Sequence, residues 1–482
     1  MTDHREANVT GEIGRGTARI ASATALRTAL SMGLSAATAA VIARALGAGE
    51  FGVYAGGTAA FYLAISLTDL GFAMALAREL ATRPGDAGRL LRATVQVQVL
   101  WSVAVALGLL VAALAAGGTR GRVMLILAPA VVFSGLGASR QIFTVRYRAA
   151  PLLVLDILSA LGQAAALIAL AAVGAGPVLL AVALAGAISL NVVVAAVLAH
   201  RAIDSARPQA GDRAQMFRLA LPVGIPSVLA SLYFSIDLVL LGWLVASRQL
   251  GHYAAAVRFL TALVAIPGLV MAAGVPGLAR SASDRGELSR FAGTLAHWLA
   301  VTALPLCVGL IVFAGPAVRV VFGSSYHDAA GLLRVLMVAG LVILANNVLA
   351  MVLISIRALR RMVLVSLISL IANVAGNVVL VPRYGVSASA WLTVLSEVIV
   401  LAYAVGALRH RLDYGTVAAR SWRAVSVTLA AGAVGLALGP GRPYAAPAAA
   451  GVLAVGLLVL RAWPAELLPE RLRWLAAPVA VR

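Results

Sequence analysis

Lysine is absent from this chain of 482 residues, and all 38 of its basic side chains are arginine. Charge of any kind is scarce, at 12% of residues against 62% hydrophobic. A water-soluble protein covers its surface with about 25% charged residues. A cytoplasmic enzyme, a disordered chain and a fibre are therefore excluded. Without lysine there is no phosphate-binding P-loop. The one cysteine, Cys307, lies in an apolar run, which excludes an internal disulfide and a multi-cysteine metal site. The six histidines, at 4, 200, 252, 297, 327 and 410, include no pair at ligand spacing, so no metal and no cofactor are expected. Long polar segments are lacking too. The longest loops are under 20 residues, which argues against a receptor ectodomain, an ATP-driven pump and a glycosyltransferase with a large catalytic loop. No hydrolytic motif is present, and the chain reads as a non-enzyme. Residues 1–19 are polar and merge into a long apolar run without a cleavage pattern, so no cleavable signal peptide is expected.

What is present is a succession of apolar runs, each near the ~20 residues needed to cross a bilayer. They fall at 19–43, 52–75, 93–117, 123–139, 151–173, 177–199, 217–245, 252–279, 293–315, 330–355, 362–382, 386–408, 424–440 and 444–463. These runs are too long, and alternate too little, for barrel strands. With the N-terminus placed in the cytoplasm, 28 arginines fall in cytoplasmic segments and 7 in outside loops. That bias supports about 14 spans with both termini inside. The net charge of +20 then reflects topology beside an anionic membrane face, and nucleic acid is not an expected partner. The expected fold is an all-α polytopic membrane protein. It has two six-helix lobes around a central cavity, at 1–200 and 217–410. A cytoplasmic linker, 201–216, joins them, and 411–482 adds two C-terminal helices and a tail.

An ionised side chain at mid-bilayer costs about 2.5–3.5 kcal/mol on insertion scales, so such residues face a bundle interior or a wet cavity. Arg27 lies some eight residues into the first span, beside the hydroxyl stripe Thr24, Thr28, Ser31, Ser35 and Thr38. It either lines a cavity or snorkels to the headgroups. Asp69 could bind a cation, pair with Arg27 or lie at the interface, and Asp156 is close enough to a span end to be interfacial. Asp237, with Tyr233 one turn before it, and Arg258 are either a structural pair or functional groups. Arg334 lies near an outer mouth. Asn346, Asn347, Asn373 and Asn377 occupy spans 10 and 11, and Glu397 stands midway along span 12. The expected substrate-binding set is Arg27, Arg258, Arg334, Ser31 and Asn373. The expected ion-coupling set is Asp69, Asp237 and Glu397. Pro222, Pro226, Pro267 and Pro276 make spans 7 and 8 the expected moving element.

Several stretches form an ordered set: Arg44 to Tyr54, Asp69-Leu70-Gly71-Phe72 with Ala77-Arg78-Glu79, Leu221-Pro222 through Ile236-Asp237, Gly251 to Ala256, Phe322 to Tyr326, and Asn377 to Gly385 followed by Ser389-Ala390 and Glu397. Over about 19–410 the chain resembles the polysaccharide biosynthesis flippases of the multidrug/oligosaccharidyl-lipid/polysaccharide exporter superfamily. The resemblance implies movement of an undecaprenyl-diphosphate-linked oligosaccharide from the inner to the outer leaflet by alternating access. It also implies a cationic cavity, with Arg27 and Arg258 as the best matches to its arginines and Arg334 a weaker one. The chain departs from that pattern in its sparse intramembrane charge and lack of lysine. It further implies a monomer in the cell inner membrane, with the lipid-linked glycan, the bilayer, and glycan polymerase or ligase machinery as partners. The other readings are an ion-coupled drug or small-molecule exporter and the peptidoglycan-precursor lipid flippase.

Overall fold

The computed structural model describes residues 2–145, 150–202, 206–281, 283–356 and 358–463, with the side chains of 2–30, 32, 84, 269–277, 279–280 and 359–363 outside the description. The described residues are helical almost throughout. The helices are α1 (Thr2–Asp69), α2 (Phe72–Thr82), α3 (Ala87–Ala116), α4 (Gly118–Ser134), α5 (Gln141–Val145), α6 (Ala150–Ala172), α7 (Pro177–Arg201), α8 (Asp212–Leu244) and α9 (Ser247–Ser281). They continue with α10 (Arg285–Thr302), α11 (Leu304–Val312), α12 (Ala314–Phe322), α13 (Ala329–Ser355), α14 (Leu359–Tyr384), α15 (Val386–Leu408), α16 (Tyr414–Leu438) and α17 (Ala445–Val459).

The fourteen apolar runs fall on these helices, with 52–75, 123–139 and 293–315 each crossing a break, but among the described residues length and apolarity give 11 spans, or 12 with α4 and the bent segment after it taken as one. Two features explain the lower number. Gly33–Thr82 is counted as one span of 50 residues, although Gly47 leaves the helical region at φ 69 and ψ 170 and divides α1 into 2–46 and 48–69. Glycine adopts such a positive φ without a Cβ clash. The last helix, α17, has only 15 residues and falls short of the length required.

The chain divides into two compact units, Met1–Val239 and Leu240–Arg482. In the N-terminal unit α3 packs on α4, α4 on α7, and α1 on α4 and α6. A buried core joins Phe72, Leu76 and Leu80 of α2, Leu90 and Leu91 of α3, Ile142 of α5, and Met216 and Ala220 of α8. In the C-terminal unit α13 packs on α9 and α15, α14 on α15, and α16 on α10 and α17. Its core joins Leu288, Leu295 and Leu299 of α10 with Val348, Leu349 and Val352 of α13 and Ala404 and Leu408 of α15.

The division falls inside α8 rather than in the polar connection before it. The reason is visible in the side chains. Arg89 at the start of α3 donates through Nη1 to Gln209 Oε1 at 2.5 Å and to Asp212 Oδ1 at 3.3 Å, and pairs through Nη2 with Asp86 Oδ2 at 3.0 Å. Arg213 Nε donates to Gln96 Oε1 at 2.8 Å. The second half of the connection and the first turns of α8 are thereby fastened to α3.

Candidate functional site

Among the described residues, three polar clusters are candidates for function, two in the N-terminal unit and one in the C-terminal unit. The first is the break between α1 and α2. Leu70 and Gly71 take φ of 37° and 82° and interrupt the helix there. A break inside a membrane helix frees carbonyls that water cannot satisfy. Here Trp101 Nε1 donates to Leu67 O at 2.8 Å and Gln98 Nε2 to Thr68 O at 3.3 Å, while Gln98 Oε1 accepts from Ala138 N at 3.0 Å. Thr68 and Ser134 exchange a hydroxyl bond of 2.9 Å. Asp69, named above for ion coupling, uses Oδ1 to accept the backbone N–H of Ala73 at 3.1 Å. This is the work of a helix cap: it satisfies a first-turn donor of α2.

The second cluster joins three elements near one end of the unit. Arg140, on the 3₁₀ turn Gly137–Arg140, pairs with Asp156 Oδ1 of α6 through Nη2 and donates from Nη1 to Asn191 Oδ1 of α7 at 2.9 Å. Asn191 Nδ2 also reaches Asp156 Oδ1, at 3.4 Å. Asp156 is thus a paired group.

The third cluster is built from α13, α14 and α15. Glu397 is 5% exposed and Asn346 8% exposed. Asn346 Nδ2 donates both to Glu397 Oε2 at 2.8 Å and to its backbone O at 3.0 Å. One residue back on α15, Ser396 takes a hydrogen bond from Asn373 Nδ2 on its Oγ at 3.3 Å and one from Ser369 Oγ on its carbonyl at 3.1 Å. Asn377, wholly buried, donates from Nδ2 to Asn373 Oδ1 at 2.9 Å. The amide oxygens of Asn346 and Asn377 are buried and, among the described residues, accept no hydrogen bond. A carboxylate and two unserved amide oxygens make an electron-rich cluster inside apolar helices.

Of the residues singled out from sequence, the structure brings Asn373 and Glu397 into one network. Arg258 is half-buried on α9 and Arg334 is exposed near the start of α13; neither has a hydrogen bond or ion pair among the described residues. Asp237, on α8, accepts its neighbour's N–H from Leu238 on Oδ1 at 2.8 Å. The side chain of Arg27 lies outside the described residues, while Ser31 is exposed on α1. Gln98, Trp101, Ser134, Asn191, Ser369 and Ser396 were not singled out from sequence. Their only advance signal is a polar residue in an apolar run, which small hydroxyls share with ordinary helix packing.

Comparison with solved structures gives the fold. The lipid II flippase MurJ, in an inward closed conformation, superposes with a TM-score of 0.75 at 13% identity, covering 90% of this chain and 98% of that one. An inward-facing multidrug resistance MATE family transporter of the MOP superfamily gives 0.61 at 15% identity, with 78% and 93% covered. A MOP superfamily transporter from Pyrococcus furiosus gives 0.54 at 15%, with 81% and 95% covered. No curated protein is a significant sequence relative. The model of the polysaccharide biosynthesis protein family matches residues 41–331, more than half of the chain. With that match over both units, this chain, whose helical fold is shared with those solved structures, belongs to the polysaccharide biosynthesis protein family.

Proposed function

We propose that the protein flips a polyprenyl-diphosphate-linked oligosaccharide from the cytoplasmic to the outer leaflet of the inner membrane, by alternating access, with both termini cytoplasmic. The observation that carries the reading is the family match across residues 41–331. A diphosphate crossing hydrocarbon needs fixed cations, and Arg258 on α9 and Arg334 on α13 have no anionic partner among the described residues. A guanidinium presents a planar fork of donors matched to phosphate oxygens. Arg27, Ser31 and Asn373 complete the proposed substrate set. Nothing in the substrate's passage requires a bond to be made or broken.

Coupling to an ion is proposed at the carboxylates, with Glu397 the strongest of Asp69, Asp237 and Glu397. It is the one sequestered with unserved amide oxygens, and a carboxylate with amide oxygens suits a proton or a hard cation. A second reading, a flippase for a peptidoglycan-precursor lipid, draws on the likeness to the lipid II flippase. The test is leaflet transfer of a polyprenyl-diphosphate oligosaccharide in vesicles holding this protein alone. Transfer is expected, and Arg27→Ala is expected to abolish it in a protein that still folds and inserts. Transfer of lipid II but not of the oligosaccharide would favour the second reading. Export of a lipid-free organic cation would overturn both.

A further inference from the structure

The last two helices lie beyond the family match; α16 packs on α10 and α11, and α17 on α16. Gly432 and Gly435 of α16 face Val308 and Phe313, so closely that a Cβ on either would meet them at 2.7 Å. Just before the apolar stretch of α16 the chain reads Arg420-Ser421-Trp422-Arg423. Arg420 and Arg423 are one turn apart and share a face of the helix. Each is drawn toward a different neighbour. Arg420 Nη1 donates to Thr294 Oγ1 of α10 at 2.6 Å, and Arg423 Nη1 to the carbonyl of Leu460, just past α17, at 3.5 Å. Gly293 makes the room on α10: a Cβ there would stand 3.0 Å from Arg420 Cδ. The Arg423 guanidinium lies 5.8 Å from the ring centroid of Trp422, which is itself exposed. Arg461 follows Leu460 and is exposed as well.

Arg420 is therefore held against the middle of α10, while Arg423, with Trp422 beside it, reaches the carbonyl just before Arg461 at the end of α17. Among the described residues, two nearby carboxylates are engaged as helix caps. Asp284 caps α10 by accepting from Glu287 N at 2.7 Å. Asp413 caps α16 through Thr416 Oγ1 at 2.5 Å and Gly415 N at 3.0 Å, bonds that hold its carboxyl below the usual range. Among the described residues no ion pair reaches Arg420, Arg423 or Arg461. On α16 and α17, Leu429, Leu436, Val455 and Val459 present exposed apolar surface, Leu429 and Leu436 on the Trp422 side of α16.

We propose that this corner binds the headgroup of an anionic glycerophospholipid, whose acyl chains lie along α16 and α17. Arginine and tryptophan directly before an apolar run stand at headgroup depth. Anionic lipid is attracted by each such cation, whereas the cationic group of a zwitterionic lipid is repelled by them. Binding there does not depend on what is transported.

The test uses the full chain, delipidated in neutral detergent, with retained lipid read by native mass spectrometry. The probes are phosphatidylglycerol and phosphatidylcholine of matched chains. Preference for phosphatidylglycerol is expected, falling about fivefold for each arginine removed in Arg420→Gln and Arg423→Gln. The pair Arg420→Lys with Arg423→Lys should keep most of it, which separates charge from misfolding. Arg409→Gln with Arg411→Gln, basic residues at the α15–α16 turn, should leave it unchanged. Equal retention of both lipids, or an equal loss in the turn variant, overturns the proposal. So does displacement by glycerol phosphate at matched concentration, which would mark a free-phosphate site. Displacement by a stoichiometric polyprenyl diphosphate would mark a substrate subsite and also overturn it.

Discussion

Asp156 and its partners illustrate what a single ionised side chain requires inside a helix bundle. With side chains 24% and 14% exposed, Arg140 and Asp156 are largely withdrawn from solvent, and Asn191 donates to the same carboxylate oxygen. Removing one member strands the other, which costs about 3 kcal/mol or more for a buried pair, whereas replacing both with apolar groups of similar volume is often close to neutral. Arg140→Met is therefore expected to lower unfolding stability in detergent by about that amount. The double change Arg140→Met with Asp156→Leu should recover most of the loss. If the double variant is as unstable as the single, the arginine works by packing alone. The pairing could not be read in advance. The partners are 16 and 51 residues from Arg140 along the chain, and spacing within a helix relates only residues three or four apart. The same holds for Asn346 and Glu397. Both were visible as polar residues in apolar runs, yet only the packing of α13 on α15 makes them one group.

Among the elements, α8 is anchored by glycine as well as by its core. A Cβ on Gly224 would lie 2.0 Å from Leu70 O, and one on Gly71 would lie 2.6 Å from both Ala220 O and Gly224 N. These are backbone atoms and cannot swing aside. The crossing places α8 against the broken end of α1, between Pro222 and Pro226. Gly224→Ala should accordingly destabilise the protein by about 1–3 kcal/mol or more through overpacking. Gly108→Ala, in α3 with open space at the same test, should be neutral or slightly stabilising because alanine favours the helix. Matching melting temperatures for the two variants would mean that the crossing relaxes without cost. Helix positions were legible here from hydropathy and arginine alone, since a bilayer-spanning helix must be long and apolar. The break at Gly47 was legible too, since it falls between the runs 19–43 and 52–75. Gly71 lies inside the second of those runs, and only its φ of 82 sets it apart from the chain's other glycines. The last run, 444–463, gives a helix, α17, too short to count as a span.

At the scale of the whole molecule, the polar connection between the lobes is not where the units divide. Residues 209–213 are tied to α3 by Arg89, Asp212 and Arg213, and Phe217 packs against the rings of Phe72 and Trp101 at 6.2 and 6.4 Å. Met216 and Ala220 are wholly buried in the same core. The first third of α8 therefore belongs mechanically to the N-terminal unit, and the division comes only after Val239. If transport proceeds by alternating access, the bending must be taken up in α8 beyond the Gly224 crossing or in the turn to α9. Pro226 stands at the start of that stretch and removes one rung of the helix ladder, which makes bending there cheaper. Spin labels at 96 and 213 should keep one separation with and without the lipid-linked substrate, because both ends lie in one packed body. Labels at 213 and 290 should show a separation that shifts with substrate. A change in the first pair would place the hinge in the connection itself, and the fastening by Arg89 would then be a contact that breaks during the cycle.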